Sequence, residues 1–148
     1  MDNRDKGTIS LEIATDDDKD ELTGLFRKLY EGDEEQRFFR SEAIPSYFNA
    51  GSRVFVARED GKLVSFVWAV FYEHIMNKGV GIIEELYVAD GYRRKGIGKA
   101  LVLKAVDFLK EHTIVTVVTT SPEMHDAQEF YKALGFKESK EWFYYAYE

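Results

Sequence analysis

Ile9, Leu11 and Ile13 alternate with polar neighbours, the two-residue period of a half-buried strand. Asp16 to Asp18 offer helix caps, and Leu22, Leu25, Phe26 and Leu29 follow at helical spacing. Phe38 to Phe48 reads as a second, less regular helix, interrupted near Pro45. Val54, Val56 and an Asp60-Gly61 turn open a hairpin whose return strand is Leu63 to Tyr72. Asn77 to Gly79 mark the next turn, and Gly81 to Val88 is a β-branched and aliphatic strand carrying Glu84 and Glu85 in mid-run. The turn Ala89-Asp90-Gly91-Tyr92 leads to Ile97, Leu101, Val102, Ala105, Val106, Phe108 and Leu109, the apolar face of an amphipathic helix. Ile114 to Val118 is a short apolar strand. Ala127, Phe130, Tyr131 and Leu134 outline a helix closed by Gly135, and Trp142 to Tyr147 is aromatic and strand-like. The order β-α-α-β-β-β-α-β-α-β, with no repeat or linker, predicts one α/β domain over residues 1–148. Its sheet should be mixed, mostly antiparallel, and flanked by helices.

Composition narrows the chemistry. A chain of 148 residues, 45% hydrophobic and 32% charged, can bury a core without disulfides or metal. Leu63 to Tyr72, the longest apolar stretch, has about half the length that crosses a bilayer, so no membrane partner is expected. No secretory leader pattern opens the chain, which points to the cytoplasm. Cysteine is absent, excluding thiolate catalysis and cysteine-ligated metals. His74, His112 and His125 show no metal-ligand spacing, so no metal is expected.

The net charge of −7, from 20 basic and 27 acidic residues, argues against nucleic acid as a partner. Its distribution is more informative. Acids crowd Asp16 to Glu21 and Glu31 to Glu35, where solvated helix ends are the simple explanation. The stretch from Arg93 to Lys110 instead holds six cations against Asp107 alone, which suggests a local anionic ligand.

Within that stretch, Arg93-Arg94-Lys95-Gly96-Ile97-Gly98-Lys99-Ala100 lies between a strand and a strong helix. Glycines at 96 and 98 let the backbone turn tightly and leave amides uncovered. The helix start adds unpaired N–H groups and the positive end of its dipole. Together with the cations this suits a pyrophosphate, although the same turn could simply cap the helix. A Walker loop fails because Gly96 is followed by Ile97, and a dinucleotide fingerprint fails at Leu101.

Arg93-x-x-Gly96-x-Gly98, preceded by Ile83-Glu84-Glu85-Leu86-Tyr87-Val88, closely resembles the acetyl-CoA signature of the GNAT superfamily of N-acyltransferases. The second motif of that family matches Ala127-Gln128-Glu129-Phe130-Tyr131-Lys132-Ala133-Leu134-Gly135-Phe136, in the family's order and spacing. The resemblance covers nearly the whole chain. It implies an acetyl-CoA-dependent N-acetyltransferase whose pantetheine arm lies along Leu86, Tyr87 and Val88. It further implies that Arg93, Arg94, Lys95, Gly96, Ile97, Gly98, Lys99 and Ala100 take the pyrophosphate, with Lys95 or Lys132 candidates for the remaining phosphate. The Val88 N–H would hold the growing oxyanion. Tyr131 matches the tyrosine that protonates the departing thiolate, its plain alternative being a core aromatic beside Phe130. The family's asparagine near the start of this helix is missing, since Met124-His125-Asp126 stands there.

The amine must lose a proton before it attacks. Glu84 is the first candidate base: on a regular strand it shares a face with Leu86, whereas Glu85 points the other way. A bulge would upset that parity and keeps Glu85 in reserve, and both acids could merely gate or end the strand. The strand is similar to the Leu-Glu-Asp type of spermidine/spermine acetyltransferases, whose first acid helps bind and deprotonate a polyamine. Other branches place a base at the position of Thr119, which cannot serve.

In the resembled family the acceptor pocket lies where this chain has Glu31, Asp33, Glu34, Glu35, Phe38, Phe39, Tyr47, Trp68 and Tyr72. Acids and aromatics suit a small cationic amine, polyamine-like or an amino sugar. A solvated loop would explain the same residues. A protein N-terminus or lysine is the rival acceptor, and a silent acyl-CoA sensor or a nucleotide-binding module are the rivals of other classes. The aromatic run Trp142 to Tyr147 could pack in the core or offer an edge to a second subunit, homodimers being common in the resembled family.

Overall fold

The computed structural model describes residues 7–32, 37, 39–76 and 79–139, the side chain of Ser46 excepted. Asp33, Glu34, Glu35, Phe38, Asn77 and the Trp142–Tyr147 run therefore lie outside the described residues. The chain divides into two compact units, Met1–Val118 and Thr119–Glu148.

The first unit is built on a five-stranded sheet in the order β1-β2-β3-β4-β5. Its strands are β1 (Ile9–Ile13), β2 (Ser52–Glu59), β3 (Lys62–Tyr72), β4 (Val80–Val88) and β5 (Val115–Val118). The first three junctions are antiparallel and β4–β5 is parallel, the mixed α/β sheet expected from the order of elements. Asp60 and Gly61 both take positive φ, 50° and 85°, so they form the two-residue turn whose twist suits a hairpin.

Helix α1 (Lys19–Leu29) covers one face of the sheet and α2 (Ile97–Lys110) the other. Alternation assigns the faces. Val54, Val56, Phe66 and Tyr87 cluster with Leu22, Leu25 and Phe26 of α1. Phe55 and Phe71 turn to the opposite side, where their rings meet Phe108 of α2 at 5.6 and 5.5 Å. Phe26 against Phe66, with centroids 4.1 Å apart, is the centre of the α1 side.

The segment expected as a second helix is corrected in kind. Ser41–Tyr47 is a 3-10 helix with Pro45 inside it. Proline brings no N–H and its ring blocks the carbonyl a turn earlier, so only a tighter, shorter helix survives. That segment still sends Ile44 into the α1-side core and packs Tyr47 and Phe48 against it.

The second unit holds α3 (His125–Ala133). Gly135, at φ 98°, closes it: its N–H donates to the Lys132 carbonyl and the Phe136 N–H to that of Tyr131, the Schellman pattern. Among the described residues, no helix is long and apolar enough to cross a membrane.

Candidate active site

The parallel ladder between β4 and β5 runs only from Val80 opposite Val115 to Ile83 opposite Val118. From Glu84 to Val88, β4 continues beside β3 with no β5 partner among the described residues. The sheet therefore opens along one edge of β4, at Leu86, Tyr87 and Val88. The Ala89 N–H donates to the Val64 carbonyl at 2.9 Å, so alternation turns the polar backbone groups of Val88 to the open edge. The Val88 carbonyl does face outward, accepting Nε of Arg93 at 3.0 Å. Buried Ser65 steadies the strand from behind, its hydroxyl donating to the Tyr87 carbonyl at 2.6 Å.

Next to this edge, the loop turns into α2 through Gly96 at φ 80°, with no side chain capping the helix. Arg94 also takes a left-handed φ of 60°, and a Cβ on Gly96 would meet nothing within 4 Å. The glycine is thus needed for its backbone conformation, not for room. The Ala100 N–H donates to the Gly96 carbonyl at 3.0 Å, the first bond of the helix. Ala100 therefore offers no amide to a ligand, which narrows the expected donors to Ile97, Gly98 and Lys99. Arg94, Lys95 and Lys99 are exposed.

Some of the loop's cations and aromatics hold the loop itself. Arg93 lies 3.4 Å from the Asp90 carboxylate while it caps Val88. Lys95 sits 5.4 Å over the Tyr92 ring. The Tyr92 hydroxyl donates to Glu59 at the end of β2 at 2.6 Å, and that carboxylate pushes the phenol above its ordinary value. In the sequence Tyr92 is legible only as part of a turn. An aromatic beside a basic glycine loop was the available hint, but its partner lies 33 residues earlier.

Glu84 and Glu85 stand at a register shift. Trp68 of β3 pairs with Glu85 while the next residue, Ala69, pairs with Ile83, so Glu84 is the extra residue of a β-bulge. The bulge ends the simple parity expected between the two acids. Glu85 lies opposite Trp68 and in step with Tyr87 on the α1 side, and both carboxylates act on Tyr47. Burial first, then the charges of Glu85 and Glu84, push the Tyr47 phenol up. Its ring stacks on Trp68 at 4.0 Å, and the Trp68 indole N–H donates to Ser52 at 2.6 Å. Glu84 is exposed, whereas Glu85 is half-buried and accepts the hydroxyl of Tyr30. Tyr30 is not legible in the sequence as a site residue, since nothing local marks a tyrosine ending a helix as the partner of an acid so far along the chain.

In the second unit, Tyr131 is half-buried between Phe130 and Phe136, with ring centroids 5.1 and 5.5 Å away. The Phe136 contact is the apolar clasp of the Schellman closure, so Gly135 fixes the tyrosine as well as the helix end. Lys132 pairs with Glu129 at 3.2 Å. His125 is an exposed first residue of α3.

The site thus joins an opened strand edge and a glycine-led helix start on one mixed sheet. Residues 15–136 match the acetyltransferase (GNAT) family. An uncharacterized N-acetyltransferase of Methanocaldococcus jannaschii is 30% identical over 141 residues, which cover 90% of this chain and 62% of that protein. The chain thus spans less than two thirds of that relative's length. Among solved structures, aminoglycoside N-acetyltransferase AAC(6')-Iy in complex with CoA superposes with a TM-score of 0.79 at 19% identity, covering 97% of each chain. The ribosomal-protein-alanine N-acetyltransferase from Brucella melitensis biovar Abortus 2308 gives 0.74 at 20% identity, covering 95% of this chain and 99% of the other. The chain belongs to the GNAT family of N-acetyltransferases, which use acetyl-CoA.

Proposed function

We propose that this chain, as a single domain, moves the acetyl group of acetyl-CoA directly to the primary amine of a small cationic molecule, polyamine-like or an amino sugar. The observation that carries the acceptor half is the pair of adjacent carboxylates, Glu84 and Glu85, gathered by a bulge beside stacked Tyr47 and Trp68. Negative charge beside aromatic faces favours an ammonium over a neutral or anionic acceptor.

Acetyl-CoA supplies an activated acetyl thioester when bound. The residues present suit it: among the described residues, Leu86, Tyr87 and Val88 have no β5 partner on the edge of β4 away from β3, and no side chain caps the amides of Ile97, Gly98 and Lys99. Exposed Arg94, Lys95 and Lys99 add charge for the diphosphate, and Arg93 braces the strand end from which Val88 works. Glu84 takes the ammonium proton, through water, and frees the nitrogen lone pair for attack. The Val88 N–H donates to the oxygen on which negative charge grows. Tyr131, assigned by its match to the family's tyrosine, gives its phenolic proton to the departing sulfur, and the second proton lost by the nitrogen after attack restores the phenol through water.

An acetyl-CoA consumption assay across polyamines, aminoglycosides and peptides tests this reading. Turnover should be highest with small polycationic amines. Acetylation of peptide N-termini or lysines alone would replace the acceptor, a reading favoured by the fold likeness to the ribosomal-protein-alanine enzyme. Tight acetyl-CoA binding without consumption on any amine would leave a sensor.

A further inference from the structure

Tyr30 is the C-cap of α1, and its hydroxyl donates to Oε1 of Glu85, 55 residues further along the chain. The bond joins the end of a helix to the bulged part of β4, where the acceptor amine sits on the reading above. The bulge sets two acids side by side opposite Trp68, and the charge of each reaches Tyr47. Two adjacent acids can divide the work of attracting a cation and accepting its proton only if their surroundings differ. Among the described residues, the titratable groups facing Glu85 include Tyr30 from α1, Tyr47 from the 3-10 helix and Glu84 beside it. Strand β3 presents Trp68, which does not titrate. Exposure separates the two acids: Glu84 is open to solvent, and Glu85 is half-buried under its tyrosine.

We propose that Tyr30 is a positioning residue that sorts these two acids, holding Glu85 as the standing negative charge of the pocket and leaving Glu84 to exchange the proton. The inference rests on the acceptor reading given above. In proton terms, the ammonium proton moves to Glu84 and then to water. Glu85 stays ionised throughout and Tyr30 keeps its own proton. A hydrogen bond to a charged acceptor favours the charged form, so the Tyr30 hydroxyl favours Glu85 as a carboxylate. Glu85 contributes attraction for the amine, and Glu84 contributes the rate.

Three variants separate these roles: Tyr30→Phe, Glu85→Gln and the double replacement. With Tyr30→Phe, the acid limb of kcat/KM against pH should move up by roughly one pH unit, and the amine KM should rise. With Glu85→Gln, the neighbouring charge is gone, so the limb should move down while the amine KM rises. In the Glu85→Gln background, Tyr30→Phe should shift nothing further. Carbon-13 titration of the glutamate side-chain carboxyls reads the same directions without any substrate. A Tyr30→Phe protein with unmoved carboxyl titration overturns the proposal. So does a Tyr30→Phe shift that persists once Glu85 is replaced. A protein that shows the expected titrations but acetylates no amine keeps the sorting of the acids and loses the acceptor reading.

Discussion

Gly96 and Tyr131 show how much can rest on single positions. Gly96 sits at φ 80° with open space around it, so alanine there meets no atom and strains only the backbone. Holding an L-residue in the left-handed region costs about 1–2 kcal/mol. Gly96→Ala should therefore weaken acetyl-CoA binding by roughly tenfold as the loop relaxes away from its turn, seen by calorimetry. Unchanged affinity would remove the Gly96 turn from the cofactor site. Tyr131→Phe keeps the ring packed between Phe130 and Phe136 and deletes only the phenolic proton. Turnover should fall by about 10²–10³-fold with acetyl-CoA affinity nearly constant. Turnover that survives this change would make Tyr131 a packing residue.

At the scale of elements, the entry to α1 is held by charge as well as by packing. Buried Asp18 accepts the Thr15 N–H at 2.8 Å and pairs with Arg58, which also binds Glu12 at 3.0 Å. Burial works against the Asp18 charge, but the Thr15 amide and the Arg58 guanidinium outweigh it and hold the carboxyl below its ordinary value. A depressed carboxyl stabilises the fold above its unfolded value, near 3.8, and that stability is lost as pH falls through the folded value. Asp18→Ala should cost about 1–2 kcal/mol at neutral pH, and the deficit should shrink in acid denaturation below pH ~4. A deficit that stays constant down to pH ~2 would show that Asp18 acts by packing alone. Strand β4 teaches a different lesson. Its apolar run made the strand legible, and Glu84 and Glu85 stood out as acids within it. Their register was not legible, because one extra residue opposite Trp68 shifts parity and nothing local announces it.

Over the whole molecule, an acidic chain carries one compact basic turn, and a ligand held at that turn is expected to be anionic. Calorimetry should show acetyl-CoA bound more tightly than ATP or NAD, with affinity falling several-fold as salt rises past a ~10 Å Debye length. A preference for either nucleotide would defeat the cofactor assignment. The strands, the strong helix α2, the glycine turn and the hairpin at Asp60-Gly61 were set by local rules: periodicity, backbone freedom and charge spacing along neighbouring residues. Those interactions reach only a few residues, so the chain itself spells them out. The pairing of Tyr30 with Glu85, the bond from Tyr92 to Glu59, the stacking of Tyr47 on Trp68 and the early end of the β4–β5 ladder were decided only by the tertiary structure. Each joins residues far apart in the chain, and such contacts follow from how layers pack and where a register slips.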